Sequence, residues 1–133
     1  MAQMLEAVKF DGSAPPPVRL AVPEDEDALF HLCTYMHGDV AMFPMSPRKV
    51  REELRVGILR QRSMIGVVDS PERKPVGMAW LCQCDGDWYT DAVSIGERFV
   101  FVHPEHRRGT THAHDLLAWT RWISASLGYP LMI

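Results

Sequence analysis

The sequence predicts a mixed α/β fold of the α+β kind, a mostly antiparallel sheet flanked by helices. Three observations predict it. Two helix-period stretches lie early in the chain, strand-like segments divided by turn signals run from residue 63 to 102, and one amphipathic helix follows, from about Thr111 to Leu127. At 133 residues the chain is long enough for one domain that buries a core without disulfide staples. Its 47% hydrophobic and 23% charged content is ordinary for a soluble globular protein. A formal net charge of −3 argues against non-specific nucleic-acid binding as the main activity. No apolar run approaches the roughly 20 residues that span a bilayer, and no secretory apolar region opens the chain. Three cysteines without a framework spacing suit a reducing compartment, so a cytoplasmic location is expected.

Residues 1–17 read as an N-terminal tail and linker, ending in the polyproline-like run Pro15-Pro16-Pro17, and residues 18–133 read as the folded domain. Within the tail, Leu5 to Phe10 fit either a short edge strand or a mobile segment. Val18 to Val22 predict a first strand. Pro23 suits the first turn of a helix whose N-terminus is complemented by Glu24, Asp25, Glu26 and Asp27, though Val22 stands where a Ser or Thr cap is expected. Ala28, Leu29, Leu32, Cys33 and Met36 form its apolar stripe, and Gly38 is the expected stop. Ser46 and Pro47 open a second helix in which Val50, Leu54 and Ile58 recur every four residues. The loop between them is unusually apolar; Met42, Phe43 and Met45 either cover the core or contact a substrate or partner.

Strands are expected over Met64 to Val68, Val76 to Cys84 and Ile95 to Val102, with turns at residues 70–75 and at Asp85-Gly86-Asp87. The closing helix sets Ala113, Leu116, Leu117, Thr120, Ile123 and Leu127 on one face, with Gly128 as its C-cap. Leu131 to Ile133 read as the beginning of a fifth strand.

The most informative stretch is Glu97 to Ile133. A strand stops at Pro104, an arginine-rich turn with Gly109 follows, and a helix begins. The first amides of a helix have no intrahelical partner, and Arg107 and Arg108 add donors that can fork onto phosphate oxygens. A phosphate-bearing ligand is therefore expected. The segment Val102-His103-Pro104 followed by Glu105-His106-Arg107-Arg108-Gly109-Thr110-Thr111-His112-Ala113 resembles the acetyl-CoA motif of GNAT-family N-acetyltransferases, a strand ending V-x-P and then Q/R-x-x-G-x-G/A. Counted from Arg107, Thr110 and His112 stand at the two glycine positions; Gly109 comes into register only when the count starts at His106.

The resemblance implies acetyl-CoA as cosubstrate and no metal. It implies that Phe101 and Val102 face pantetheine, and that Arg107, Arg108, Gly109, Thr110, Thr111 and His112 hold the pyrophosphate. It further implies a helix and two strands beyond the fifth strand's start, which this sequence does not hold, so a neighbouring subunit or partner is expected to complete the sheet.

Acyl transfer to an amine needs positioning, polarisation of a carbonyl and removal of a proton. Glu97, in the fourth strand, is the candidate catalytic base; the alternative is an exposed carboxylate paired with Arg98 or another neighbour. His103 and His106 are further titratable groups but flank the turn. His103, His106, His112, His114 and Asp115 invite a metal reading, which their positions either side of a turn disfavour. Cys82 and Cys84 share a strand face without a second pair, and no nucleophile elbow is present.

Trp119 flanks the last helix's apolar stripe and Trp122 points roughly opposite, as an interface anchor would or as a ring packed under a loop. Two functions are thus expected. One is a direct N-acetyltransferase acting on an amine of a small molecule or protein. The other is a weakly catalytic or non-catalytic protein of the same fold that binds and modulates a partner protein, or pairs with a second copy.

Overall fold

The computed structural model describes residues 15–132. The order of elements is β1 (Arg19–Leu20), a 3-10 turn (Pro23–Asp25), α1 (Glu26–Val40), α2 (Pro47–Ile58), β2 (Ser63–Asp69), β3 (Pro75–Asp87), β4 (Thr90–Val102), a second 3-10 turn (Pro104–His106), α3 (His112–Leu127) and β5 (Leu131–Met132). The five strands form one sheet in chain order, antiparallel throughout except for the parallel β4–β5 pair. This is the expected fold class. The tail's first 14 residues, with the Leu5 to Phe10 strand expectation, lie outside the described residues, as does Ile133.

Helices cover both faces of the sheet, so β2 and the Val76–Leu81 half of β3 are buried on either side. On one face α3 sets Leu116, Trp119 and Ile123 against Met64, Val68, Ala79, Leu81, Ile95 and Val102. On the other, Leu29, Leu32 and Cys33 of α1 and Leu54 and Ile58 of α2 pack on Ile65, Val67, Met78, Trp80 and Phe101. The alternation of β2 side chains between these two cores fixes its register, because a one-residue slip would exchange every contact.

The buried stripe of α3 is rotated from the expected one. Ala113 and Leu117 are exposed, while Trp119 is buried and central. Room for its indole comes from Gly66 in mid-β2, where a Cβ would sit 2.8 Å from the Trp119 ring. Trp122, expected to point away, is half-buried and packs on the same core.

Several boundaries also move. The Val22 N–H donates to Asp25 Oδ2 at 2.8 Å, the carboxylate half of a capping box, while the Val22 side chain offers no acceptor in return. Helix α1 runs through Gly38 to Val40 before its cap at Ala41. Ser46 caps α2 as expected, accepting from the Lys49 N–H at 3.3 Å. Gly86, read as a turn, instead lies in an irregular stretch of the β3–β4 hairpin at φ +94°, where a Cβ would meet the Thr90 carbonyl at 2.5 Å. The reversal falls at Trp88-Tyr89, and both strands lengthen to 13 residues. In the α1–α2 loop Met42 and Phe43 are 89% and 77% exposed, so they do not cover the core, whereas Met45 packs on it.

Arg19 ties the first strand to its surroundings. It reaches Asp25 Oδ2 at 2.7 Å and Asp69 Oδ2 at 2.7 Å, with a second bond to each carboxylate at 3.0 Å. Burial alone would raise the Asp25 pKa, but the Arg19 hydrogen bonds, the Val22 amide and the Arg19 charge together pull it below the usual carboxylate range.

Two outcomes follow for stability. Gly66→Ala should lower unfolding free energy by about 1–3 kcal/mol, since the ring it strikes is locked in a packed core; urea denaturation reads this. Because Asp25 has a depressed folded pKa, its contribution is complete above the ordinary carboxylate pKa of about 4 and is lost as pH falls through the depressed value. Asp25→Asn should therefore cost stability at pH 7 and flatten the acid limb of a Tm-versus-pH curve; an unaltered acid limb would refute the assignment.

Candidate functional site

Strand β4 carries one residue more than β3 opposite Trp80: Trp80 pairs with Phe99 and Leu81 with Glu97, leaving Arg98 as the extra residue of a bulge. Consecutive side chains Arg98 and Phe99 consequently share the α1/α2 face. The Arg98 guanidinium lies 4.5 Å from the Trp80 ring centre, and Phe99 meets the same ring edge-on at 5.7 Å. Glu97, paired with Leu81 of the α3-side core, falls on the α3 face.

The phase of the hydrogen bonds follows from one contact, His103 N–H to the Val76 carbonyl at 2.8 Å. By antiparallel alternation Phe101 and Phe99 turn their backbone groups toward β3, while Val100 and Val102 turn theirs toward the opposite edge. Along that edge the described residues of β5 pair only with Ile95 and Gly96, the Ile95 N–H donating to the Pro130 carbonyl at 2.9 Å. Beyond them β4 presents the N–H and C=O of Val100 and the N–H of Val102. The Val102 carbonyl accepts from Arg107 Nε at 2.7 Å.

At the end of this edge sits the basic turn. Arg107 folds back on the strand, its guanidinium 5.2 Å from the Phe101 ring, while Arg108 is exposed. Gly109 adopts φ +73°, a left-handed conformation that glycine supplies at least cost, with open space around its Cβ position. The Thr110 hydroxyl donates back to the His106 and Arg107 carbonyls at 2.7 and 3.2 Å. Thr111 is the residue before α3, and its hydroxyl donates to Asp115 Oδ2 at 2.8 Å; His112 opens the helix. The Asp115 N–H bonds the Thr111 carbonyl, so the helical ladder begins there and the amides of residues 112–114 precede it.

A cavity of about 560 Å³ lies on the α1/α2 face beside the bulge, between α1, α2 and strands β3 and β4. Met36, Met45, Val50, Trp80 and Phe99 give it an apolar wall. Glu53 of α2 and Arg98 supply opposite charges, held 3.5 Å apart and each partly exposed. Cys33 also lines it, and burial pushes that thiol up to about 11, so it stays protonated near neutral pH.

A larger cavity, about 860 Å³, opens between α1, the β2–β3 hairpin and the Pro104–His106 turn. His31, Tyr35, His103 and His106 are among its lining residues, with Tyr35 and His103 rings 4.6 Å apart.

The structure thus separates the residues picked from sequence. Val102 and residues 107–112 sit together at the strand edge and turn. Phe101 is adjacent, but its backbone faces β3 and its ring is buried in the α1/α2-side core. Glu97 lies across the sheet from the 560 Å³ cavity, and Arg98 pairs with Glu53 rather than with Glu97. Glu53, Arg98 and Trp80 were not picked. For Arg98 the signal is a break in strand periodicity: Ile95 and Val100 share a face although five residues apart, which an unbulged strand forbids; Glu53 and Trp80 join it only in the fold. Among the described residues no three histidine, cysteine or acidic side chains converge as metal ligands.

No family model matches the chain, and no curated protein matches it. Solved structures do. A possible acetyltransferase from Clostridium difficile superposes with a TM-score of 0.71 at 15% identity, covering 90% of this chain and 80% of that one. A GNAT family acetyltransferase from Staphylococcus aureus gives 0.64 at 18% identity, with 89% and 84% covered. A ribosomal-protein-alanine N-acetyltransferase from Brucella melitensis gives 0.66 at 12%, with 90% and 79% covered. At these identities the likeness is one of fold, and it extends over most of each chain.

Proposed function

We propose that this chain, which has the fold of GNAT acetyltransferases, is an N-acetyltransferase that takes acetyl-CoA as cosubstrate and passes the acetyl group directly to an amine. The observation that carries the reading is a stretch of β4 that no described strand pairs on its outer edge. It leads from a basic turn and helix N-terminus to a bulge, with the 560 Å³ cavity on one side of that bulge. Pantetheine amides would pair with Val100 and Val102, and the pyrophosphate would lie on the amides from Gly109 to His112 with Arg108 beside it. Thr110 fits such a loop because its hydroxyl is turned onto its own turn.

In the reaction the amine lone pair attacks the thioester carbonyl carbon, the C–N bond forms and the C–S bond breaks. The thiolate leaves and takes up a proton, and an edge N–H of β4 polarises the carbonyl. The amine's proton needs a carboxylate on the side where an amine has room. Glu53 is in the cavity and Glu97 is across the sheet, so the proton acceptor in this reading is Glu53. The protonated Cys33 thiol favours direct transfer over an acyl-cysteine route. The partner-docking alternative loses its main anchor, since Trp122 packs on the core.

Replacing both Arg107 and Arg108 by Ala should weaken CoA binding several-fold or more in low-salt calorimetry; unchanged affinity would remove the cosubstrate assignment. In a thiol-release assay with acetyl-CoA, Glu53→Gln should lower the rate about tenfold or more, the lower range for loss of a general base. Glu97→Gln should stay near wild type, and the reverse result would return the role to Glu97.

A further inference from the structure

The cavity beside the bulge has a composition that narrows the acceptor, and this inference rests on the transferase reading above. Its interior is apolar and aromatic, so it favours a hydrocarbon or thioether body over a polyamine or a sugar. Its charged groups are one carboxylate and one guanidinium in contact, Glu53 and Arg98, and the Lys49 ammonium; His37 is also at the lining. His37 Nε2 is occupied by the Phe43 carbonyl at 2.7 Å.

The Glu53–Arg98 contact is a loose one. At 3.5 Å it exceeds the roughly 2.8 Å of a well-formed charge-assisted bond, and the two side chains are 43% and 38% exposed. Exposed pairs of this kind contribute little, so a ligand that satisfies both charges can displace the contact at small cost. Stacking of the guanidinium over Trp80 holds Arg98 in place while its partner changes. An α-amino acid carries an ammonium and a carboxylate at a spacing close to that of the pair itself.

We propose that the acceptor is an apolar α-amino acid. Its ammonium takes the place of Arg98 at Glu53, its carboxylate takes the place of Glu53 at Arg98, and its side chain lies against Met36, Met45, Trp80 and Phe99. Transfer then follows the balance given above. The ammonium loses a proton to Glu53, the free amine attacks the thioester carbon, and the products are the N-acetyl amino acid and CoA with its thiol protonated.

The test is calorimetric titration of the purified full chain with L-phenylalanine, phenethylamine and 3-phenylpropionate, which share a ring and differ in charge. Phenylalanine should bind at least about tenfold more tightly than either analogue, because each lacks one charge-assisted contact. Arg98→Met should abolish the preference for phenylalanine over phenethylamine, and Arg98→Lys should recover part of it. Glu53→Gln, at a partly exposed helical position, should bring phenylalanine to the 3-phenylpropionate level and serves if Arg98→Met proves unfolded by circular dichroism.

Equal binding of phenylalanine and phenethylamine to the wild type, or an undiminished preference in both variants, would overturn the inference. The two readings fail separately. Selective phenylalanine binding without thiol release from acetyl-CoA would keep this pocket assignment and sink the transferase. Thiol release with other amines, in a protein that ignores phenylalanine, would do the opposite.

Discussion

A single extra residue in β4 governs how the rest of the molecule presents its chemistry. With Arg98 inserted opposite Trp80, side chains on either side of it change face. Upstream, Ile95 and Glu97 belong to the α3 side. Downstream, Val100 and Val102 do, and Arg98 with Phe99 turns to the α1/α2 side. Without the bulge, the same strand could not place Ile95 and Val102 in one core, since seven residues separate them and a regular strand alternates with period two. The bulge lets one strand serve both cores and also seats a cation over Trp80 at the wall of a cavity. Among the described residues, strand β5 pairs with β4 just before this point, at Ile95 and Gly96.

That arrangement is sustained by a sheet buried on both faces. The α3 face depends on an exchange of volume between Gly66 and Trp119, in which the absent side chain of one makes room for the ring of the other. The first strand, only two residues long, is held by Arg19 between two carboxylates, one from the turn that starts α1 and one from the end of β2. These contacts position α1 over the sheet, and α1 supplies Cys33 and Met36 to the cavity. Packing far from the cavity and the shape of the cavity are thus linked through a helix that both share.

Much of this was legible from residue order. The caps and four-residue spacing of α2, the Gly128 stop of α3 and the apolar strand segments expected at 64–68 and 76–84 state their own structure, because each depends on local backbone chemistry. What failed depended on distant partners. Gly86 carries a turn residue's φ but sits inside a hairpin whose reversal is made by Trp88-Tyr89. Trp119 and Trp122 exchange expected prominence because the receiving gap at Gly66 is 53 positions away in sequence. The face of Glu97 could not be read by counting, since the count passes through the bulge. The turn at 107–112 was legible as a basic turn running into a helix N-terminus, whereas the carboxylate and cation of the cavity come from α2 and β4 and meet only in the fold.

The departures of the turn from a glycine-rich pattern have a local physical account. A glycine is required where φ is positive, or where a Cβ would intrude on a ligand that lies against the backbone. The first need arises at Gly109, where a glycine is present. At Thr110 the hydroxyl is turned onto the carbonyls of His106 and Arg107. That bond closes the turn from within, as a backbone N–H often does in a tight loop. Thr111 is likewise engaged, its hydroxyl directed to Asp115, and Asp115 adds a negative charge within the first turn of α3. In the proposed cosubstrate mode a phosphate approaching those amides would meet that charge as well as the helix end, and the exposed Arg108 of the same turn would oppose it.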